Sequence, residues 1–127
     1  MQWGLLLSVG AGGFLGAISR FILAGWVQKF SSSFPFGTLS VNILGSFLIG
    51  FLLLYVQHIN VSNALKLFLI TGLLGSLTTF STFSWETLAL FYEGVWQKAV
   101  LNIIMNLGIC LFATFLGIFF FKKLFGV

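Results

Sequence analysis

The chain has 127 residues, 59% of them hydrophobic and 6% charged. A soluble domain of this size has nowhere to bury that much apolar surface and too few charges to stay dispersed, so the composition is that of an integral membrane protein. The net charge of +4 comes from six basic and two acidic residues scattered along the chain, only Lys122 and Lys123 being adjacent, which leaves no basic stripe to track a phosphate backbone; no nucleic-acid partner is expected.

The first apolar segment runs from about Trp3 to Val27. A helix needs about 20 residues to cross a hydrocarbon core ~30 Å thick, so this segment spans once. It has no basic region ahead of its apolar run and no small-residue cleavage site after a short core, and it is expected to be retained rather than removed as a signal peptide. Gly12 and Gly16 lie four apart on one face, the small-residue spacing that lets helix backbones approach closely in lipid. Arg20, near the far end, has three readings: a side chain snorkelling to the headgroups, half of a buried ion pair, or part of an anion-attracting vestibule.

Gln28 to Pro35 is a polar turn that proline closes. The second segment, about Phe36 to Val56, carries Thr38, Asn42 and Ser46 at four-residue spacing on one face, with Gly45 beside them. An asparagine there is either interhelical glue or the lining of a polar pathway. The loop Gln57 to Ala64 holds the single histidine, His58, read as solvated.

The third segment, Leu65 or Lys66 to about Tyr92, is too long for one straight crossing and contains Gly72, Gly75 and the hydroxyl cluster Thr78, Thr79, Ser81, Thr82 and Ser84. It reads as two half-helices broken near the centre, because irregular backbone at membrane depth survives only where it is buried in protein or lines a wet cavity. Glu86 lies late in the second half at a depth similar to Arg20, which makes an Arg20–Glu86 ion pair a candidate. Glu93 to Lys98 is a turn. The fourth segment, about Ala99 to Phe121, has Asn102, Asn106, Cys110 and Thr114 at strict four-residue spacing, a polar stripe on an oily helix.

Four crossings place both termini on one side of the membrane. Lys66, Lys122 and Lys123 fall on that side, and Arg20, Lys29 and Lys98 on the other. An even split of basic residues selects no orientation, so insertion both ways round follows, and two oppositely inserted copies can pair about a two-fold axis in the membrane plane.

No catalytic constellation is visible: the two glutamates sit seven residues apart, the histidine is in a loop, and no nucleophile has a base beside it. Enzyme activity is not expected. The single cysteine, Cys110, cannot form an internal disulfide, and no Cys/His cluster supplies a metal site. A proton-coupled exporter would place a carboxylate at mid-membrane in the first segment, which has none. What remains are donors: Asn42, the amides of the fourth segment, hydroxyls and freed backbone N–H groups, all able to replace an anion's water. Phe80 and Phe83 can add positive ring edges, or can simply pack at i, i+3. Freed carbonyls suit a cation such as Na⁺ instead.

Three ordered stretches carry a resemblance. Gly12-Gly13-x-x-Gly16-Ala17-x-x-Arg20, Pro35-x-Gly37-Thr38-Leu39-x-Val41-Asn42-x-x-Gly45-Ser46-Phe47 and Gly72-x-x-Gly75-x-x-Thr78-Thr79-Phe80-Ser81-Thr82-Phe83-Ser84-x-Glu86 together resemble the CrcB/Fluc fluoride channels of bacteria. The resemblance implies a single four-helix transmembrane domain over residues 1–127, in the bacterial inner membrane, acting as a passive fluoride-selective channel. It further implies a dual-topology antiparallel homodimer with two fluoride pathways and a structural sodium ion at the dimer interface. Phe80 and Phe83 would then offer ring edges to fluoride and Asn42 an amide donor. Ser81 and Thr82 would add hydroxyls, Asn106, Cys110 and Thr114 would continue a polar track, Gly75 and Thr78 carbonyls would hold the sodium, and Arg20 would stand at the vestibule. Cys110 occupies a place where a hydroxyl residue is expected. The alternative reading is a small dual-topology multidrug or cation exporter.

Overall fold

The computed structural model describes residues 2–127, and among them every regular element is a helix. Helix α1 is Trp3–Gln28 and α2 is Phe36–His58. The third segment is helical over residues 63–77 (α3), with i→i+5 bonding from Leu67 to Leu74, and helical again over Phe80–Tyr92 (α4). Helix α5 is Trp96–Phe125, widened to i→i+5 bonding over Met105–Ile109. Four segments, with α3 and α4 taken together, are long and apolar enough to cross a membrane. The chain is a multi-pass membrane protein.

Local chemistry sets the boundaries. Ser62 Oγ accepts the Leu65 N–H at 3.3 Å and starts α3 at Asn63, two residues before the apolar run. Gly94, with φ 76°, ends the turn after α4, and Gly126, with φ 68°, ends α5. The helix α5 begins at Trp96, inside the stretch expected to be a turn, and continues past Phe121. His58, expected in a loop, is the last residue of α2; its ring lies 5.1 Å from that of Phe125 and 5.7 Å from that of Phe121. The Gln28 side chain ties the α1–α2 turn, donating to the Phe34 carbonyl and accepting the Gly37 N–H, both at 2.9 Å.

Helices meet where side chains vanish. A Cβ on Gly12 would collide with the Phe68 carbonyl and one on Gly16 with the Leu73 carbonyl, so α1 and α3 touch backbone to backbone; from the α3 side, a Cβ on Gly72 would stand 2.6 Å from the Val9 carbonyl. Gly50 of α2 and Gly117 of α5 make the equivalent seam, against the Thr114 and Phe47 carbonyls. Without a hydrophobic drive between helices in lipid, such close approach is what holds them together. The outer faces carry the apolar load: Phe21 is 82% and Trp85 73% exposed.

Between α3 and α4 two residues depart from helical geometry. Thr78 (φ −83°, ψ 156°) and Thr79 (φ −149°, ψ 112°) are extended. Gly72 and Gly75, where the interruption was expected to begin, are helical. The absent side chain of Gly72 serves the close packing of α3 on α1, and the departure from helical geometry lies at Thr78 and Thr79.

Candidate functional site

The extended pair frees backbone groups, and α2 supplies their partner. In a continuous helix the Thr79 N–H would reach the Gly75 carbonyl; here it donates to Asn42 Oδ1 at 2.8 Å, while Asn42 Nδ2 donates back to the Thr79 carbonyl at 3.2 Å. The asparagine side chain thus pairs with Thr79 as a second peptide group would, which keeps buried backbone polar groups satisfied at membrane depth. Thr79 in turn caps α4, its Oγ1 accepting the Thr82 N–H at 3.2 Å. Gly45, one turn from Asn42, is what admits the Thr78 side chain to α2: a Cβ there would strike the Thr78 methyl.

From Asn42 a chain of side-chain hydrogen bonds runs into α5 and returns to α4. Asn42 Nδ2 donates to Asn106 Oδ1 at 3.0 Å, and Asn106 Nδ2 donates to Asn102 Oδ1 at 2.9 Å and to the Asn102 carbonyl at 3.1 Å. Asn102 Nδ2 donates to Thr87 Oγ1 at 2.9 Å, and Thr87 Oγ1 donates to the Phe83 carbonyl at 2.7 Å. Asn102 is 0% exposed, so no water competes for these bonds.

Beside this chain lies a cavity of about 360 Å³. It brings together seven of the residues expected at a site, Asn42, Phe80, Phe83, Asn106, Cys110, Gly75 and Thr78, and adds Ser46 and Thr79. The Phe80 and Phe83 rings meet edge to face, centroids 5.2 Å apart at 64°, the arrangement the ring quadrupoles favour. They differ in setting: Phe83 is 6% exposed and Phe80 71%.

Four expected residues stand apart from the cavity lining: Ser81, Thr82, Thr114 and Arg20. Ser81 and Thr82 are exposed and gather around Thr79, whose Oγ1 lies 3.3 Å from Ser81 Oγ and donates to Thr82 Oγ1 at 2.9 Å. Thr114 turns its hydroxyl back to the Cys110 carbonyl at 3.1 Å. Arg20 is half-buried on α1. The candidate Arg20–Glu86 ion pair gives way to a different contact: Thr38 Oγ1 donates to Glu86 Oε1 at 2.7 Å, and Glu86 Oε2 is buried without a partner. Equal depth in the membrane does not make two side chains neighbours, and α2 is the nearer helix.

Sequence reasoning did not single out Thr79, Asn102 or Thr87 as site residues. Asn102 had a signal in the four-residue stripe of α5. Thr79 had one in the hydroxyl cluster, whereas Thr87 had none, its role resting on the side chain of a distant helix.

Residues 7–118 match the family model described as CrcB-like protein, Camphor Resistance (CrcB). The chain belongs to the CrcB family. Among CrcB relatives, a protein of Sulfurovum sp. (strain NBC37-1) is 55% identical over 127 residues, covering 99% of this chain and 100% of that one. One from a Nitratiruptor species is 50% identical over 127 residues, 99% of this chain and 98% of the relative. One of Shewanella sp. (strain ANA-3) is 53% identical over 113 residues, 88% of this chain and 91% of the relative. Each of the three is named fluoride-specific ion channel FluC.

Proposed function

We propose that the chain is a fluoride-selective channel of the bacterial inner membrane that lets cytoplasmic fluoride leave passively. The observation that carries this reading is the cavity lined both by the edge-to-face pair Phe80 and Phe83 and by Asn42, in a chain at least half identical to relatives named for fluoride. Fluoride is small and holds its water tightly. A path for it must replace that water with donors, and the cavity brings two aromatic rings, an amide side chain and hydroxyls to one place.

The functional unit in this reading is an antiparallel homodimer with two pathways. The even division of basic residues supports insertion in both orientations, and the 71% exposure of Phe80 supports a site completed by a second copy. A structural sodium ion between the copies belongs to the same reading. The Gly75 carbonyl has lost its helical partner to Asn42, and Thr78 is extended. Carbonyls of Gly75 and Thr78 from each copy would hold the ion, as freed backbone carbonyls suit a cation.

Liposomes loaded with fluoride test the reading. Purified protein should release fluoride rapidly with no proton gradient and release chloride little; efflux that needs such a gradient would favour a coupled exporter and end the channel assignment. Cysteine labelling of a loop position from the two sides of the membrane should modify comparable fractions, and one-sided labelling would remove the dual-topology dimer.

A further inference from the structure

The direction of each hydrogen bond in the asparagine chain is fixed by counting hydrogens. The Thr87 hydroxyl has one, committed to the Phe83 carbonyl at 2.7 Å, so toward Asn102 it only accepts, and Asn102 turns its Nδ2 to it at 2.9 Å. Asn102 Oδ1 then faces α5 and takes one N–H of Asn106 at 2.9 Å, while the Asn102 backbone carbonyl takes the other at 3.1 Å. Both hydrogens of Asn106 are used, and its carbonyl oxygen is left facing Asn42 Nδ2 at 3.0 Å. From the other end, the Thr79 N–H requires Asn42 Oδ1 at 2.8 Å, and the second Asn42 hydrogen goes to the Thr79 carbonyl at 3.2 Å. The two ends agree. Flipping Asn42 would put its NH₂ against the Thr79 N–H, and flipping Asn102 would leave Thr87 facing a second acceptor. Asn102 is 0% exposed, so water cannot take over a bond broken there, whereas Asn106, 5% exposed, borders the cavity.

Asn42 therefore has no free donor. Resting on the assignment of Asn42 to the fluoride pathway, we propose that Asn106 serves the anion not as a donor but as a competitor. Its carbonyl oxygen occupies the anion's place on the Asn42 amide, and Asn102 is the positioning residue that keeps it turned that way. Carbonyl oxygen and fluoride are both acceptors, so one replaces the other at the same N–H. A strongly accepting anion gains by the exchange, whereas a weakly accepting one such as chloride does not, and the internal competitor raises selectivity by a threshold rather than by size alone. Three buried hydrogen bonds, two from Asn106 to Asn102 and one from Asn102 to Thr87, hold the competitor in register.

The test is an NMR titration of protein carrying ¹³C,¹⁵N-labelled asparagine, in lipid nanodiscs, with sodium fluoride against sodium chloride. In the wild-type chain, fluoride should shift the Asn42 ¹⁵Nδ2 and the Asn106 ¹³Cγ with one midpoint, because the carbonyl loses its donor as the anion gains it; chloride should shift neither. In Asn106→Leu the Asn42 signal should respond at about tenfold lower fluoride, the change expected for one competing hydrogen bond. Asn102→Leu should lower the midpoint by a smaller factor. A purely structural asparagine network would leave Asn106 ¹³Cγ unmoved while Asn42 shifts, and that result overturns the proposal, as does weaker fluoride binding in Asn106→Leu, which would make Asn106 a donor after all. If Asn42 itself ignores fluoride while liposomes still release it, the pathway assignment of Asn42 is what has failed, and the competitor falls with it. The wild-type titration decides the matter even where a variant does not fold.

Discussion

Two kinds of contact hold this bundle, and they place opposite demands on the residues that make them. At the glycine seams, Gly12 and Gly16 against α3, and Gly50 and Gly117 between α2 and α5, helices touch through backbone carbonyls with no room for a Cβ. At the amide centre, α2, α4 and α5 meet through Asn42, Asn106, Asn102 and Thr87, with each donor matched to an acceptor. A seam tolerates no added volume and is indifferent to polarity. The centre depends on the direction of its donors. In lipid both are needed, since close approach supplies the attraction and polar matching supplies the register.

Adding volume to a seam should have the largest effect. In Gly117→Val the new Cβ would overlap the Phe47 carbonyl and sit 3.0 Å from the Phe51 amide nitrogen, both backbone atoms that cannot move aside. Separating α2 from α5 should cost about 3 kcal/mol or more, enough to abolish recovery of monodisperse protein after detergent extraction. Gly25→Ala, at a glycine whose Cβ meets nothing within 4 Å, should leave recovery and thermal stability unchanged or slightly raised, as helix propensity favours alanine. Equal damage from both would mean that glycine seams are not what binds the helices.

The next effect is on transport and separates the two rings of the aromatic pair. Phe83 is 6% exposed, so Phe83→Ile alters packing as well as the site, whereas Phe80, 71% exposed, contributes little to the fold of its own subunit. Phe80→Ile should therefore lower fluoride efflux from liposomes about tenfold, the consequence of removing about 1.4 kcal/mol of anion stabilisation, with thermal stability of the subunit close to wild type. Wild-type efflux in Phe80→Ile would leave the exposed ring without a role in permeation.

The same contrast explains what could be read before the structure. The spans follow from composition and length, and the Gly12–Gly16 seam follows from spacing, because close approach depends only on which residues share a face. Asn42 was legible as glue or as pathway lining, and it serves the first while bordering the cavity that suits the second. Spacing could not say which way an amide points. It therefore grouped Asn102, Asn106, Cys110 and Thr114 as one polar stripe, although Asn106 offers a carbonyl to Asn42 and Thr114 turns back to the Cys110 carbonyl. Nor could it say which helix lies beside a given residue at a given depth, and that is why Glu86 was matched with Arg20 when Thr38, 48 residues earlier, is its hydrogen-bond donor.

The smallest effect tests that last pairing. Thr38 is 6% exposed and donates to Glu86 Oε1 at 2.7 Å, while Oε2 has no partner. Thr38→Val keeps the shape and removes the hydroxyl, leaving the carboxyl without a hydrogen bond, and should lower stability by about 1–3 kcal/mol in tryptophan-monitored unfolding. Combining Thr38→Val with Glu86→Leu removes both members of the contact, and because an apolar pair leaves nothing unsatisfied, the double variant should be more stable than Thr38→Val alone. The cycle should return a coupling of about 1 kcal/mol, whereas Arg20→Leu with Glu86→Leu should be additive, as expected for side chains that share no partner. Strong coupling of Glu86 to Arg20 with none to Thr38 would restore the ion pair and would mean that α1, not α2, orients the carboxyl in the middle of α4.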